Sequence, residues 1–199
     1  MRISVPLPQA YRLLNHGPTV LVSAAHAGQA NAMAAAWAMP LDFDPPKVAV
    51  VLDKATRTRE LVEAAGGFAL SVPCSGQAAL VVALGTETGK SLPDKLAALA
   101  VPTFPASETE APLIDGCVAW LECRLLPEDG IQQRYDLFLG EVVAAWADDR
   151  VFSGGRWHFD AAPDALRTLH HVAGGQFFAI GAPVDGKAPA SAPAAADPA

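Results

Sequence analysis

The sequence predicts a mainly β fold, a β-barrel decorated with inserted helices. Three observations carry this. Short apolar runs at residues 20–25, 47–52 and 68–72 are each bounded by turn formers. Two longer segments, residues 117–125 and 136–146, have strand length and strand patterning. The helical stretches between strands do not alternate with them as the crossovers of a parallel sheet would.

Taken in order, residues 20–25 end at the turn-prone His26-Ala27-Gly28-Gln29, and residues 31–39 return as the second strand of a hairpin. The alanines of that second segment suit a helix equally well by propensity, but Trp37, Pro40 and the hairpin context favour a strand. Pro46 opens a third strand over residues 47–52. A helix follows over residues 58–65, with Leu61, Val62 and Ala65 inward and Glu60 and Glu63 outward, and Gly66-Gly67 stops it. Residues 68–72 form a short strand ended by Pro73. Ser75 is placed to cap a helix running to Ala83 and closed by Gly85, and Ser91 to cap a short helix over residues 93–99. In the strand after that, Cys117, Ala119, Leu121, Cys123 and Leu125 share one face, with Glu122 and Arg124 on the other. Gly140, in the middle of the last long strand, marks a bulge or a close approach.

The 199 residues suffice for one domain with a substantial core, and 51% apolar against 18% charged residues excludes general disorder. The domain is expected over residues 1–181, and the Ala/Pro-rich residues 182–199 read as a disordered tail. A net charge of −7 gives no reason to expect nucleic acid or an anionic membrane surface as a partner. Cys74, Cys117 and Cys123 lack metal-ligand spacing and are not paired here. Pro6 and Pro8 break any secretory apolar region, and no run reaches the roughly 20 residues of a membrane span, so a cytoplasmic location is expected.

The chemistry concentrates in two segments. Asn31, Ala32, Met33, Ala34, Ala35, Ala36 and Trp37 form a stretch of small residues closed by an aromatic one. Small side chains let a flat ring lie against backbone. Lys54, Thr56, Arg57 and Thr58 then deliver cations and hydroxyls just after an apolar strand, at a helix start, where a phosphate is well served. A flat ring carrying a phosphate describes flavin mononucleotide (FMN). The plainer readings are a solvated charge run capped by Thr58, a turn role for Asn31, and a core anchor rather than a stacking wall for Trp37. Thr88, Gly89 and Lys90 lie in a stretch superficially like a phosphate loop, but the first glycine and the preceding strand of that motif are missing. Adjacent His170 and His171 would point oppositely on a strand and so would not share a metal.

Five segments together resemble the flavin reductase-like, FMN-binding split-barrel family, especially its flavoredoxin branch. They are Pro18 through Ser23, Asn31 through Trp37, Thr56 through Leu61, Tyr135 through Val142, and Leu169 through Gly175. The resemblance implies a six-stranded split barrel, a homodimer, and FMN near the subunit seam, with NAD(P)H as co-substrate. It implies cofactor contacts from the small-residue strand, from Lys54, Thr56 and Arg57, from Ser71, from the loop of Thr88, Gly89 and Lys90, and from His170. The family often carries Thr or Ser where Ala34 and Ala36 stand, and Asn where Ser71 stands. The expected activity is NAD(P)H-dependent flavin reduction, which needs no general base and no metal. The alternatives are a flavoredoxin-type FMN carrier serving a redox partner protein, or a split barrel holding another planar ligand.

Overall fold

The computed structural model describes residues 1–186, so the expected tail falls outside the described residues from residue 187 onward. Strands β1 (Arg2–Ser4), β2 (Val20–His26), β3 (Gln29–Ala35), β4 (Ala38–Phe43), β5 (Pro46–Val51) and β6 (Gly67–Val72) precede two two-residue strands, β7 (Thr103–Phe104) and β8 (Leu113–Ile114). The long β9 (Ala119–Leu126) and β10 (Leu137–Asp148) follow, then the short pair β11 (Phe152–Ser153) and β12 (Arg156–Trp157), then β13 (Leu169–Ala173) and β14 (Gln176–Ala179). The α-helices are α1 (Arg57–Ala65), α2 (Ala78–Thr86), α3 (Lys95–Ala98) and α4 (Asp129–Tyr135), with a 3-10 helix over Leu7–Leu13.

The main sheet runs β3-β2-β6-β9-β10-β5-β4, with β1 also on β10, and every pairing in it is antiparallel. Its two end strands, β3 and β4, are consecutive in the chain and joined only by Ala36 and Trp37. That short link obliges the sheet to curl round on itself, while β3 and β4 stay unpaired with each other: the barrel is split there. The single strand expected over residues 31–39 is therefore two. Ala35 still pairs with Val20, but Ala38 pairs with Val50, so the chain changes neighbours at the bend.

Alternation puts Val20, Val22, Ala24, Phe68, Leu70, Val72, Leu121, Cys123 and Phe138 inside the barrel. The opposite faces of the same strands are also covered. Leu21, Ala32, Ala69 and Trp120 pack with Val81 and Leu84 of α2 in a second cluster. Both-sided burial explains why β2 reads as a continuous apolar run rather than an alternating one. Gly140 is the close approach its position implies, since a Cβ there would lie 2.6 Å from Phe68 Cζ.

Some local expectations change. Cys117 precedes β9 and packs in the outer cluster rather than on the inner face of Ala119 and Leu121. Ala65 is exposed, because α1 turns its last residue away before Gly66 stops it in a left-handed conformation (φ 67°). Ser75 does not cap α2; its hydroxyl donates to Asp164 O instead. Ser91 likewise donates to Thr88 O, and Asp94 precedes α3. All three cysteines are buried and free.

Candidate functional site

The α1 N-terminus, the middle of β3 and the loop after α2 converge on one cavity of about 220 Å³. Asn31, Met33 and Ala34 supply its floor, Thr56, Arg57 and Thr58 one wall, and Thr88, Gly89 and Lys95 another. Thr56 is the N-cap of α1, yet its hydroxyl donates back to Asp53 O at 2.8 Å and makes no cap bond. The first-turn amides of α1 are thus left to other acceptors. Asn31 is 3% exposed, and its Nδ2 donates to Thr58 Oγ1 at 2.8 Å. Its Oδ1 is buried without a partner. Gly89 stands over that oxygen, so close that a Cβ there would lie 2.6 Å from it. Only glycine lets the loop cross at this point.

A second cavity, about 400 Å³, continues from the first through Ala34, Gly85 and Thr86, which line both. Its walls are apolar or small: Ala35 and Ala36 on one side, Val81 and Val82 of α2 on another, and Gly174, Gly175 and Phe177 of the β13–β14 hairpin across from them. Thr19 and His171 add polar atoms at the edge; the Thr19 hydroxyl accepts the His171 amide at 3.1 Å. The groove therefore has a polar, amide-rich end and a flat apolar end.

Charges at the polar mouth are arranged around Glu60. Arg57 donates to Glu60 at 2.6 Å and also to Gln29, and Lys90 meets the same carboxylate at 3.0 Å. Hydrogen bonds from Arg57 and then Lys90 hold the Glu60 carboxyl below the usual range. Arg57 thus lines the groove, whereas Lys90 does not line it and is tied to Arg57 only through Glu60.

Other expected residues are placed elsewhere. Lys54 is largely exposed and lies 3.9 Å from Asp136. Ser71 is buried behind the groove, where its hydroxyl accepts the Ile114 amide at 3.3 Å. The Ala32 side chain packs in the outer cluster. Trp37 is not a core anchor: it is 75% exposed and borders an apolar hollow of about 380 Å³ with Met39, Leu41, Ile131, Leu137 and Leu139, which meets the groove at Ala36. His170 turns away from the groove, and its ring lies 5.9 Å from that of His16; the neighbouring His171 lines the groove instead. Sequence reasoning passed over Lys95, Thr19, Val81, Val82, Gly85 and Thr86. Only the small residue Gly85, between Leu84 and Thr86, gave any local hint.

A flat ligand with a phosphorylated polar arm fits this donor set. The orphan Asn31 acceptor wants a hydroxyl, the free α1 amides want an anion, and the small-residue wall admits a ring. Comparisons with known proteins agree. A family model described as flavin reductase like domain matches residues 12–166. The protein YddH of Escherichia coli (strain K12), described as uncharacterized, is 45% identical over 182 residues, which span 90% of this chain and 95% of that protein. The structure of an FMN-binding domain of a flavin reductase-like enzyme from Shewanella baltica OS155 superposes with a TM-score of 0.92 at 49% identity, covering 94% of this chain and 98% of that one. Flavoredoxin of Desulfovibrio vulgaris (Miyazaki F) superposes with a TM-score of 0.72 at 25% identity, covering 85% and 90%. The chain belongs to the flavin reductase-like family and has that family's FMN-binding split-barrel fold.

Proposed function

We propose that this protein binds FMN in the groove and works as an NAD(P)H-dependent flavin oxidoreductase. The observation that carries the reading is the buried, unpartnered Asn31 Oδ1 beside the uncapped N-terminus of α1. FMN, when bound, supplies the chemistry: it accepts a hydride from a reduced nicotinamide and passes electrons onward. The chain's own residues bind, orient and exclude water. The free α1 amides and Arg57 hold the phosphate, while Thr56, whose N–H and hydroxyl both donate to Asp53 O, sets the start of the helix, and Asn31 accepts from a ribityl hydroxyl. Ala34, Ala35 and Ala36 let the ring lie close to backbone, and Val81, Val82 and Phe177 keep water from its faces.

Arg57→Ala tests the polar end. A charge-assisted hydrogen bond contributes about 1.5–3 kcal/mol, so FMN affinity should fall about ten- to hundredfold with the fold unchanged. A folded variant with wild-type affinity would overturn the assignment. Steady NAD(P)H oxidation with excess free FMN supports the reductase. A protein that keeps FMN but turns over no nicotinamide is instead a flavoredoxin-type carrier, a reading favoured by the match to the Desulfovibrio protein. A different planar ligand would appear in mass spectra of the purified protein's small molecules.

We further propose a homodimer formed through β4. Along that strand Met39, Leu41 and Phe43 are exposed beside Trp37, a run of large apolar side chains that a second copy would cover. Light scattering should give twice the chain mass at micromolar concentration; a monomer would count against it.

A further inference from the structure

Most cations among the described residues are paired with a carboxylate. Two of the others have neutral partners. Lys95 is buried in the groove wall and donates to Ala32 O at 2.9 Å and Leu84 O at 2.8 Å, so one of its three N–H groups is left over. The Arg2 guanidinium lies over two rings, 4.5 Å from the centroid of Phe104 and 4.7 Å from that of Trp146. Arg12 and Arg156 are different. Neither has an ion pair among the described residues, and both line one open bowl of about 580 Å³ with Tyr11, Asn15, His16, Gly155 and Trp157. The bowl has no carboxylate in its lining and shares no lining residue with the groove.

The bowl is held in shape by its own residues. Ser153 and Arg156 are joined by Gly154-Gly155, and both glycines have positive φ (54° and 74°), as a two-residue hairpin loop favours. Gly155 O accepts from Arg12 Nη1 at 3.1 Å, and Tyr11 Oη accepts from Arg12 Nε at 3.3 Å. The Trp157 indole donates to Arg12 O at 3.0 Å and so fixes the arginine's backbone as well. A Cβ at residue 155 would lie 2.6 Å from Arg12 Nη1, so the glycine leaves the guanidinium its place. Arg12 is thus pinned by neutral acceptors through two of its five N–H groups, and three remain. Arg156 adds a second, exposed guanidinium. In a chain of net charge −7, two unmatched arginines in one depression draw a negative ligand. His16 adds a hydrogen-bonding position: its Nε2 lies 2.8 Å from Thr168 Oγ1, and its Nδ1 is buried without a partner.

The planar guanidinium forks match a carboxylate with two parallel bonds. Tyr11 and Arg12 lie at the end of the 3-10 helix, so they offer no free first-turn amides of the kind that serve a phosphate. The half-buried Trp157, stacked on Phe159 at 4.8 Å, supplies a rigid aromatic surface. We propose that this bowl is a second ligand site, built for an aromatic carboxylate whose anion pairs with Arg12 and Arg156 and whose ring lies along Trp157. Such a ligand binds whether or not FMN occupies the groove.

The test titrates the full-length protein with benzoate, with benzamide, which keeps the ring without the charge, and with inorganic phosphate, which keeps charge without the ring. Binding is read by calorimetry and by melting temperature, with and without FMN. Benzoate should bind about tenfold tighter than either of the others. Arg12→Met should weaken benzoate about ten- to hundredfold and leave FMN affinity within about threefold. Arg156→Gln, a change on an exposed side chain, should weaken benzoate by about threefold. If Arg12→Met fails to fold, the benzoate-to-benzamide ratio and Arg156→Gln decide. No benzoate binding at millimolar concentration, equal binding of benzamide, or unchanged benzoate affinity in the folded variants would overturn the proposal. Phosphate binding as tight as benzoate would overturn it in favour of a general anion site. Benzoate that displaces FMN would be sitting in the groove, and the bowl would lose its assignment.

Discussion

Glu122 and the Asn31–Lys95 pair are both buried and polar, and their surroundings are opposite. Glu122 is fully buried on the outer face of β9, between the inward Leu121 and Cys123. Its carboxylate accepts from the Ser107 amide at 3.0 Å, the Ser107 hydroxyl at 3.1 Å, the Glu108 amide at 2.6 Å and the Trp146 indole at 3.1 Å. Burial pushes its pKa up, but the Ser107 and Glu108 amides and the Trp146 indole overcome that, and the net position is below the usual carboxylate range. At Asn31 and Lys95, by contrast, an acceptor and a donor are left over. The difference separates architecture from site. A saturated buried charge fastens a loop to a sheet; an unsaturated buried group keeps a hydrogen-bonding position that the protein itself does not fill.

The sharpest way to break this comparison is Glu122→Leu. It strands two amides and an indole N–H, so a loss on the order of 3–5 kcal/mol is expected, or roughly 10 °C in melting temperature. The folded fraction should still bind FMN with unchanged affinity. A binding defect with normal stability would erase the distinction.

His16 is an intermediate case, and pH sharpens it. Burial, and then the charge of His170, lowers its pKa from 6.5 to about 4. The native state keeps the ring neutral with one nitrogen 2.8 Å from Thr168 Oγ1, while the unfolded chain takes up a proton below pH 6.5. The stability it contributes is therefore complete above pH 6.5 and is lost as pH falls towards 4, by about 3 kcal/mol at most. Denaturant midpoints across that window should fall for the wild type, and the fall should flatten in His16→Gln. An unchanged slope would show that other groups dominate.

Asn31→Ala should have the smallest effect on the fold and a selective one on the site. It removes one hydrogen bond to Thr58 but also the orphan oxygen, so melting should move little. FMN affinity should drop by up to about tenfold. Lost stability without lost affinity would place Asn31 with Glu122, as architecture.

Local chemistry made much of the fold legible. The β2–β3 hairpin and the α1 stop at Gly66 follow from residues adjacent in sequence, and the mid-strand glycine marked the tight spot at Gly140, although the Phe68 ring that makes it tight comes from a distant strand. The polar end of the groove was also legible, since Thr56 and Arg57 announce themselves as polar residues after an apolar strand and both line it. Lys95 was not, because a single lysine at the start of a short helix carries no local sign of burial. Its burial depends on Ala32 and Leu84, which are 63 and 11 residues away. Glu122 was read as outward-facing. That holds for its face of β9, but the loop at Ser107 covers that face.

The sequence by itself determined the periodicity: which residues alternate, where helices stop, and which short runs are built of small or of polar side chains. These are properties of neighbouring residues, set by backbone sterics and side-chain spacing. Only the tertiary structure decided which polar groups find partners. The bend at Ala36–Trp37 sends β4 to β5 and leaves Trp37 outside. The register of β13 points His171, not His170, at the groove. Satisfaction of a buried charge is a sum over contacts from distant segments, and no local pattern along the chain encodes that sum.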